Sequence, residues 1–315
     1  MSETTVHDAA ILGGGPAGLA AAIYATRAGL DAITIEQGSF GGQITTTDVV
    51  DNYPGIEHVS GAELGIKMQE HAEHLGASFA YDTIESCEHD EQSGLFTLKG
   101  DEGSYVAKTL IYATGATPRA AGFTGEDTFR GRGVSYCATC DGMFYTGKRV
   151  FIIGGGNSAC EEAVFLSRFA SEVTIVVRKD HFRAMSSNIK QVKANEKITV
   201  RYLTSIVAIE GETLPSKVTF RNNATGEEHV EEFEPGSFGI FVSVGHVPQV
   251  DLVRSYVDLA PDGSIETDEH LATKTPGLFV AGDVRSTPLR QVLTAAADGA
   301  LAATSAALYL GELVI

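Results

Sequence analysis

The sequence predicts an α/β fold in two halves, the second inserted into the first, each half a parallel sheet layered between helices. Three observations carry this. Residues 10–22, AILGGGPAGLAAA, and residues 151–163, FIIGGGNSACEEA, are two copies of one device: an apolar run, a glycine turn and a helix-like segment. Each apolar run reads as a buried parallel strand, hydrophobic throughout rather than alternating. A second apolar run ending in glycine and proline closes each half, YATGATP at 112–118 and FVSVGHVP at 241–248. After the second crossover, GLFVAGD at 277–283 resumes the buried-strand pattern and returns the chain to the first half. The expected division is residues 1–116 with 247–315 for the outer domain and 117–246 for the inserted one.

The first device fits GxGxxG through Gly13, Gly15 and Gly18, with Pro16 and Ala17 opening the helix. The first glycine permits a tight strand-to-helix turn, the second lets the backbone approach a pyrophosphate, and the third lets helix and strand pack closely. The free N–H groups of the helix start then face the phosphates. The second device fits GxGxxA through Gly154, Gly156 and Ala159, with Asn157 and Ser158 opening its helix. One such match is weak evidence; two, each between a strand and a helix, predict a Rossmann-like domain and a bound dinucleotide in each half.

The strand that follows distinguishes the halves. In the first, DAITIEQ ends with Glu36, 21 residues after Gly15, and Gln37 follows. A carboxylate there suits the ribose hydroxyls of FAD or NAD. In the second, the residue 21 positions after Gly156 is Val177, followed by Arg178 and Lys179, with Arg183 shortly after. A basic cluster suits a 2′-phosphate, hence NADPH. The competing reading, a solvated basic surface, is disfavoured because basic residues are scarce: 23 Lys and Arg stand against 41 Asp and Glu, a net charge of −18.

That acidity argues against nucleic acid or an anionic membrane as the main partner. Solubility or adaptation to salt accounts for it. No uninterrupted apolar run reaches the ~18–20 residues of a membrane span. The start, MSETTVHD, has neither the basic residues nor the apolar stretch of a signal peptide, so a cytoplasmic location is expected.

Of four cysteines, Cys137 and Cys140 form a C-x-x-C pair, CATCDG. Such a pair can close a disulfide, and a helix N-terminus there lowers a thiol's pKa. Asp141 follows directly, a carboxyl able to protonate a leaving thiolate. A zinc site needs four ligands, often two C-x-x-C units, and only one unit is present. A purely structural disulfide is the weaker alternative beside two dinucleotide sites. Cys87 and Cys160 stand apart and read as small core residues.

Taken in order, GGGPAGLAAAIYA, GGQITTTDVVDNYPG, ATGATPR, CATCDG, GGGNSACEEA, GIFVSVGHVP, PGLFVAGDV and RQVLTAAADGA resemble the low-molecular-weight thioredoxin reductases. These are class II pyridine nucleotide-disulfide oxidoreductases, and the resemblance covers almost the whole chain. It implies FAD in the outer domain, NADPH and the cysteine pair in the inserted one, a homodimer, and a thioredoxin-like protein as partner. By position it implies that Gly13, Gly15 and Gly18 hold the FAD pyrophosphate and Glu36 its ribose. Gly42, Gln43 and Asn52 would lie near the flavin, and Thr114 and Gly115 at the first crossover. Gly282 and Asp283 would sit at the ribitol, with Arg290 and Gln291 at the isoalloxazine end. Cys137 and Cys140 would be the redox pair and Asp141 its proton donor.

The implied cycle runs from NADPH to FAD, to the disulfide, and by thiolate attack to the partner. The inserted domain would turn on the two crossovers between these steps. One departure stands out. The family's His-Arg-Arg-x-x-x-Arg signature reads Val177, Arg178, Lys179 and Arg183 here. Lysine binds phosphate without arginine's planar fork. The departure leaves open a donor other than NADPH, whereas the intact GGGNSA turn favours a nucleotide. A different disulfide substrate is the other alternative.

Overall fold

A computed structural model describes residues 5–47 and 49–313. The chain forms two compact units, one of Met1–Thr117 with Val247–Ile315 and one of Pro118–His246.

The first unit is built on a seven-stranded sheet. Its parallel part runs in the order Ser78–Tyr81, Ala32–Glu36, Val6–Leu12, Ser104–Tyr112. Ser104–Tyr112 shares its far edge between two partners. Its first half pairs antiparallel with Leu95–Gly100, and its last three residues pair in parallel with Leu278–Val280. The return of the chain to the first half is therefore a strand-to-strand contact. The hairpin Ile84–Asp90 and Leu95–Gly100 adds an antiparallel edge to the expected parallel sheet; its alternating burial is that of a sheet edge with one wet face.

Helix Pro16–Arg27 starts on proline at its first turn and is rich in alanine. It packs on the long helix Val292–Leu310, burying Ala17, Ala21 and Ala25 in the same core as Ala302, Ala303 and Ala306. The approach is very close: a Cβ placed on Gly299 would lie 1.9 Å from the Ala17 carbonyl oxygen. By length and composition Val292–Leu310 could cross a membrane. The sequence hides this because Asp298 interrupts the run, and half of the helix is buried as a core element.

The second unit carries a five-stranded parallel sheet in the order Ile198–Arg201, Glu172–Val176, Arg149–Ile153, Phe238–Val242, Val134–Ser135. Helix Asn157–Leu166 covers one face through Ala159, Cys160, Ala163 and Leu166. A three-stranded antiparallel sheet, Thr204–Gly211, Pro215–Asn222 and Glu228–Glu232, contributes Ile206, Ile209, Val218 and Phe220 to a core with Phe151 and Phe238. The crossovers, Ala116–Pro118 and His246–Pro248, pair as a two-stranded ribbon.

Candidate functional site

The glycine turns impose the same steric rule in both units. A Cβ on Gly13 would lie 2.4 Å from the Ala113 carbonyl oxygen, and one on Gly154 would lie 2.3 Å from that of Ser243. Each first glycine thus passes beneath the end of a crossover strand. A Cβ on Gly18 would meet the Gly13 carbonyl oxygen at 1.7 Å, so helix and turn are in backbone contact. At the second glycine the space is open: nothing lies nearer than 4.0 Å to a Cβ on Gly15, and nothing within 4 Å at Gly156. Both cap their helices without a side-chain hydrogen bond, which leaves backbone donors for an anion.

In the first unit this turn opens into a cavity of about 570 Å³. Gly13, Gly15, Pro16, Ala17, Glu36, Gln37, Gly42, Gln43, Thr114, Gly115, Gly282, Asp283 and Gln291 line it. Glu36 is held by two backbone donors, Gly14 N–H at 2.6 Å and Gly38 N–H at 2.8 Å. Gln43 donates to the Ala116 carbonyl at the crossover. Burial pushes the Asp283 carboxyl up to about 6; the nearby Asp298 charge adds to this and Arg290 opposes it.

Gly18, Asn52 and Arg290 do not line the cavity. Gly18 packs helix on turn. Asn52 Nδ2 donates to Gln291 Oε1 at 2.8 Å, acting one residue behind the wall. Arg290 Nε donates to the Asp283 carbonyl at 3.2 Å, and its Nη2 lies 3.6 Å from Asp262. Arg290 thus supports the Asp283 turn. An open glycine turn, an uncapped helix and a half-buried carboxyl facing one cavity fit a ligand with a pyrophosphate and a row of hydroxyls. FAD has both.

In the second unit the basic loop is tied to the glycine turn. Arg183 N–H donates to the Gly155 carbonyl at 2.7 Å, and Met185 N–H to Asn157 Oδ1 at 2.7 Å. Arg178, Lys179 and Arg183 are exposed, and none pairs with a carboxylate among the described residues. Asp180, inside the cluster, is taken by His181 at 2.5 Å. Val177 is buried beside Gly155 and adds no polar group to the rim. Asn157 fixes the loop through its side chain, and Ser158 follows it on the first turn of the helix.

The dithiol lies in the same unit. Cys137 and Cys140 form a disulfide with Cα atoms 5.3 Å apart. Cys137 caps the short helix Ala138–Asp141, and its sulfur accepts the Cys140 N–H at 3.2 Å. The Thr139 hydroxyl lies 3.4 Å from the same sulfur. A thiolate on Cys137 would therefore meet two donors. Asp141 Oδ2 accepts a hydrogen bond from the buried Ser135 hydroxyl at 2.6 Å. Tyr145 is pushed up to about 12 by burial and by the Asp141 charge. Cys87 and Cys160 are buried free thiols, both pushed up chiefly by burial, to about 12 and about 11. Among the described residues, no cluster of His, Cys, Asp and Glu could hold a metal ion.

The model of the family described as pyridine nucleotide-disulphide oxidoreductase matches residues 7–299. The chain belongs to that family. Curated relatives include the thioredoxin reductases of Peptoclostridium acidaminophilum, 44% identical over 97% of each chain, and Bacillus subtilis, 42% identical over 99% of this chain and 98% of that one. The crystal structure of thioredoxin reductase from Streptococcus pyogenes is 38% identical, with a TM-score of 0.90 over 99% of this chain and 100% of that one. Two Rossmann-like domains are the architecture of these oxidoreductases, and the two glycine turns here are their repeated element.

Several site groups escaped the sequence reading. Asp82, Tyr112, Gln249 and Asp251 also line the cavity. Asp298 pairs with Arg285 beneath the Asp283 turn. Ser135 holds Asp141, and only its place two residues before Cys137 could have pointed to it.

Proposed function

We propose that the chain is a thioredoxin-disulfide reductase, passing two electrons from NADPH through FAD to the Cys137–Cys140 disulfide and on to a thioredoxin-like protein. The observation that carries this is the closed C-x-x-C disulfide with its adjacent carboxyl, in a chain that also holds a cavity fitting FAD. Full-length relatives named thioredoxin reductase support the same reading.

Bound flavin supplies the one step no side chain here can perform, accepting hydride from nicotinamide and giving electrons to a disulfide. The chain's own residues do the rest. The N–H groups after Gly15 would hold the pyrophosphate, and Glu36, already oriented by Gly14 and Gly38, the ribose. Asp283 would accept from a ribitol hydroxyl. Gly156 and the helix start after it would hold the second pyrophosphate, with Arg178, Lys179 and Arg183 on the 2′-phosphate. In the dithiol, the sulfur best placed to carry negative charge is that of Cys137. Asp141 would give the proton a leaving thiolate needs.

The resemblance also supports a homodimer, and helices Pro16–Arg27 and Val292–Leu310 leave Tyr24, Leu301 and Tyr309 exposed for one. Two free thiols suit a reducing compartment, the cytoplasm.

The test is anaerobic. Purified holoprotein mixed with NADPH should lose its flavin absorbance, and added thioredoxin disulfide should then be reduced catalytically. A Cys140→Ser variant should still bleach but no longer turn over thioredoxin. The second reading, another electron donor, is favoured by Val177 and Lys179. Flavin that stays oxidised in NADPH yet turns over after chemical reduction would establish it.

A further inference from the structure

We propose that Ser135 is a positioning residue for the disulfide chemistry, holding the Asp141 carboxylate by its hydroxyl when Asp141 is ionised and turning away when Asp141 carries a proton. The inference rests on the reading of Cys137–Cys140 as the redox pair and Asp141 as its proton donor.

Ser135 ends the short strand Val134–Ser135 and is buried. Its Oγ lies 2.6 Å from Asp141 Oδ2, and it accepts the Cys137 N–H at 3.0 Å. A second acceptor, the Cys137 carbonyl oxygen, lies 3.4 Å from the same Oγ. One hydroxyl proton therefore has two destinations. The shorter contact has the length of a hydroxyl donating to an ionised carboxylate, the stronger kind of hydrogen bond. A protonated carboxyl is itself a donor. When Asp141 gains a proton, the Ser135 hydroxyl can swing to the Cys137 carbonyl, and its freed lone pair can accept the Asp141 O–H. The Cys137 N–H stays on Oγ in both arrangements.

A thiol of the reduced pair gives its proton to Asp141 and, as thiolate, attacks the partner's disulfide. A sulfur–sulfur bond forms to the enzyme, the partner's own breaks, and the leaving sulfur takes the proton from Asp141. The second enzyme thiol displaces the remaining partner sulfur, and its proton follows the same route. The partner gains two electrons and two protons, and the Cys137–Cys140 bond is restored. Ser135 keeps its own proton throughout.

Tyr145, from the turn Gly142–Tyr145, is a titratable side chain that feels the Asp141 charge, and Lys148 lies over its ring at 5.7 Å. Helix Asn157–Leu166 presents Phe165 and Leu166 beside Gly142, and strand Phe238–Val242 presents Phe241 to Tyr145. Both contacts are apolar. The cysteine pair lies on the same short helix as Asp141 and at its cap.

The experiment is the pH dependence of kcat/KM for thioredoxin disulfide, measured on the holoenzyme. A donor to the ionised carboxylate lowers the pKa of Asp141, so its loss raises it. In Ser135→Ala the acid limb, where Asp141 becomes protonated and can no longer take the thiol's proton, should move up by about one pH unit. Ser135→Thr keeps a hydroxyl and should keep the wild-type limb. In an Asp141→Asn background, Ser135→Ala should move no limb. Ser135→Val, isosteric with Ser135→Thr, repeats the comparison if the smaller side chain disturbs folding. A limb that stays put in both hydroxyl-free variants, with wild-type turnover intact, overturns the role of Ser135 alone. A wild-type enzyme that bleaches with NADPH and reduces no disulfide overturns the reading beneath it.

Discussion

The guanidinium of Arg285 grips both oxygens of Asp298, Nε to Oδ2 at 2.7 Å and Nη2 to Oδ1 at 2.9 Å. Asp298 Oδ2 also accepts the Gly282 N–H at 3.1 Å. The pair therefore fastens the Gly282–Val284 turn, which carries Asp283, to helix Val292–Leu310.

Asp298→Ala leaves Arg285 largely buried with no carboxylate and frees the Gly282 N–H. Breaking such a pair from one side costs on the order of 3–5 kcal/mol. A lower unfolding temperature and faster loss of FAD are expected, read by thermal denaturation and by flavin fluorescence on dilution. Asp298→Asn, which keeps an acceptor, should fall between. Equal FAD retention in all three proteins would show that the pair does not position the turn.

Asp283 gives the cofactor-free protein a pH dependence of definite sign. Its carboxyl is raised by burial from 3.8 to about 6, so the folded protein binds more protons than the unfolded chain between those values. Stability from this group is therefore highest at low pH and declines as pH rises through that window. Comparing apoprotein with Asp283→Asn across the window isolates the effect. The difference in unfolding free energy should shift in favour of the variant as pH rises.

Two glycines should fail in different ways. Gly18→Ala drives a Cβ into the Gly13 carbonyl, a backbone atom that cannot step aside. About 1–3 kcal/mol of overpacking and a loss of flavin content are expected. Gly156→Ala meets nothing within 4 Å and leaves the fold intact. It places a methyl where a pyrophosphate would approach, so KM for NADPH should rise roughly tenfold or more at an unchanged unfolding temperature. Melting curves and steady-state kinetics on the two variants separate the cases.

Arg178→Ala with Arg183→Ala should raise KM for NADPH by roughly tenfold, about 1.4 kcal/mol, and leave KM for NADH nearly unchanged. Increasing salt should weaken NADPH in the wild type more than in the double variant, because the exposed charges are screened. An equal rise for both nucleotides would remove these arginines from 2′-phosphate recognition.

What the sequence discloses is whatever a short window contains. Gly13, Gly15 and Gly18 span six residues, and Cys137 with Cys140 spans four, so local spacing is enough to read them. The Arg285–Asp298 pair is invisible because the helix that carries Asp298 must first fold back over the turn. Asn52 and Gln291 meet across 239 residues, a contact no window holds. Gly299 looks like a blemish in an alanine-rich helix until the Ala17 carbonyl is found against it. The contact of Arg290 with the Asp283 carbonyl is likewise a product of the folded turn and not of spacing.

Helix Val292–Leu310 and strand Leu278–Val280 complete the sheet and the helix pair begun by the first residues. Synthesis runs from the N-terminus, and domains generally fold as units. The inserted unit can close once His246 has left the ribosome, while the outer unit waits for helix Val292–Leu310. During that interval Pro16–Arg27 has its alanine stripe exposed, and a nascent chain stalled before Val292 is a natural client for a chaperone.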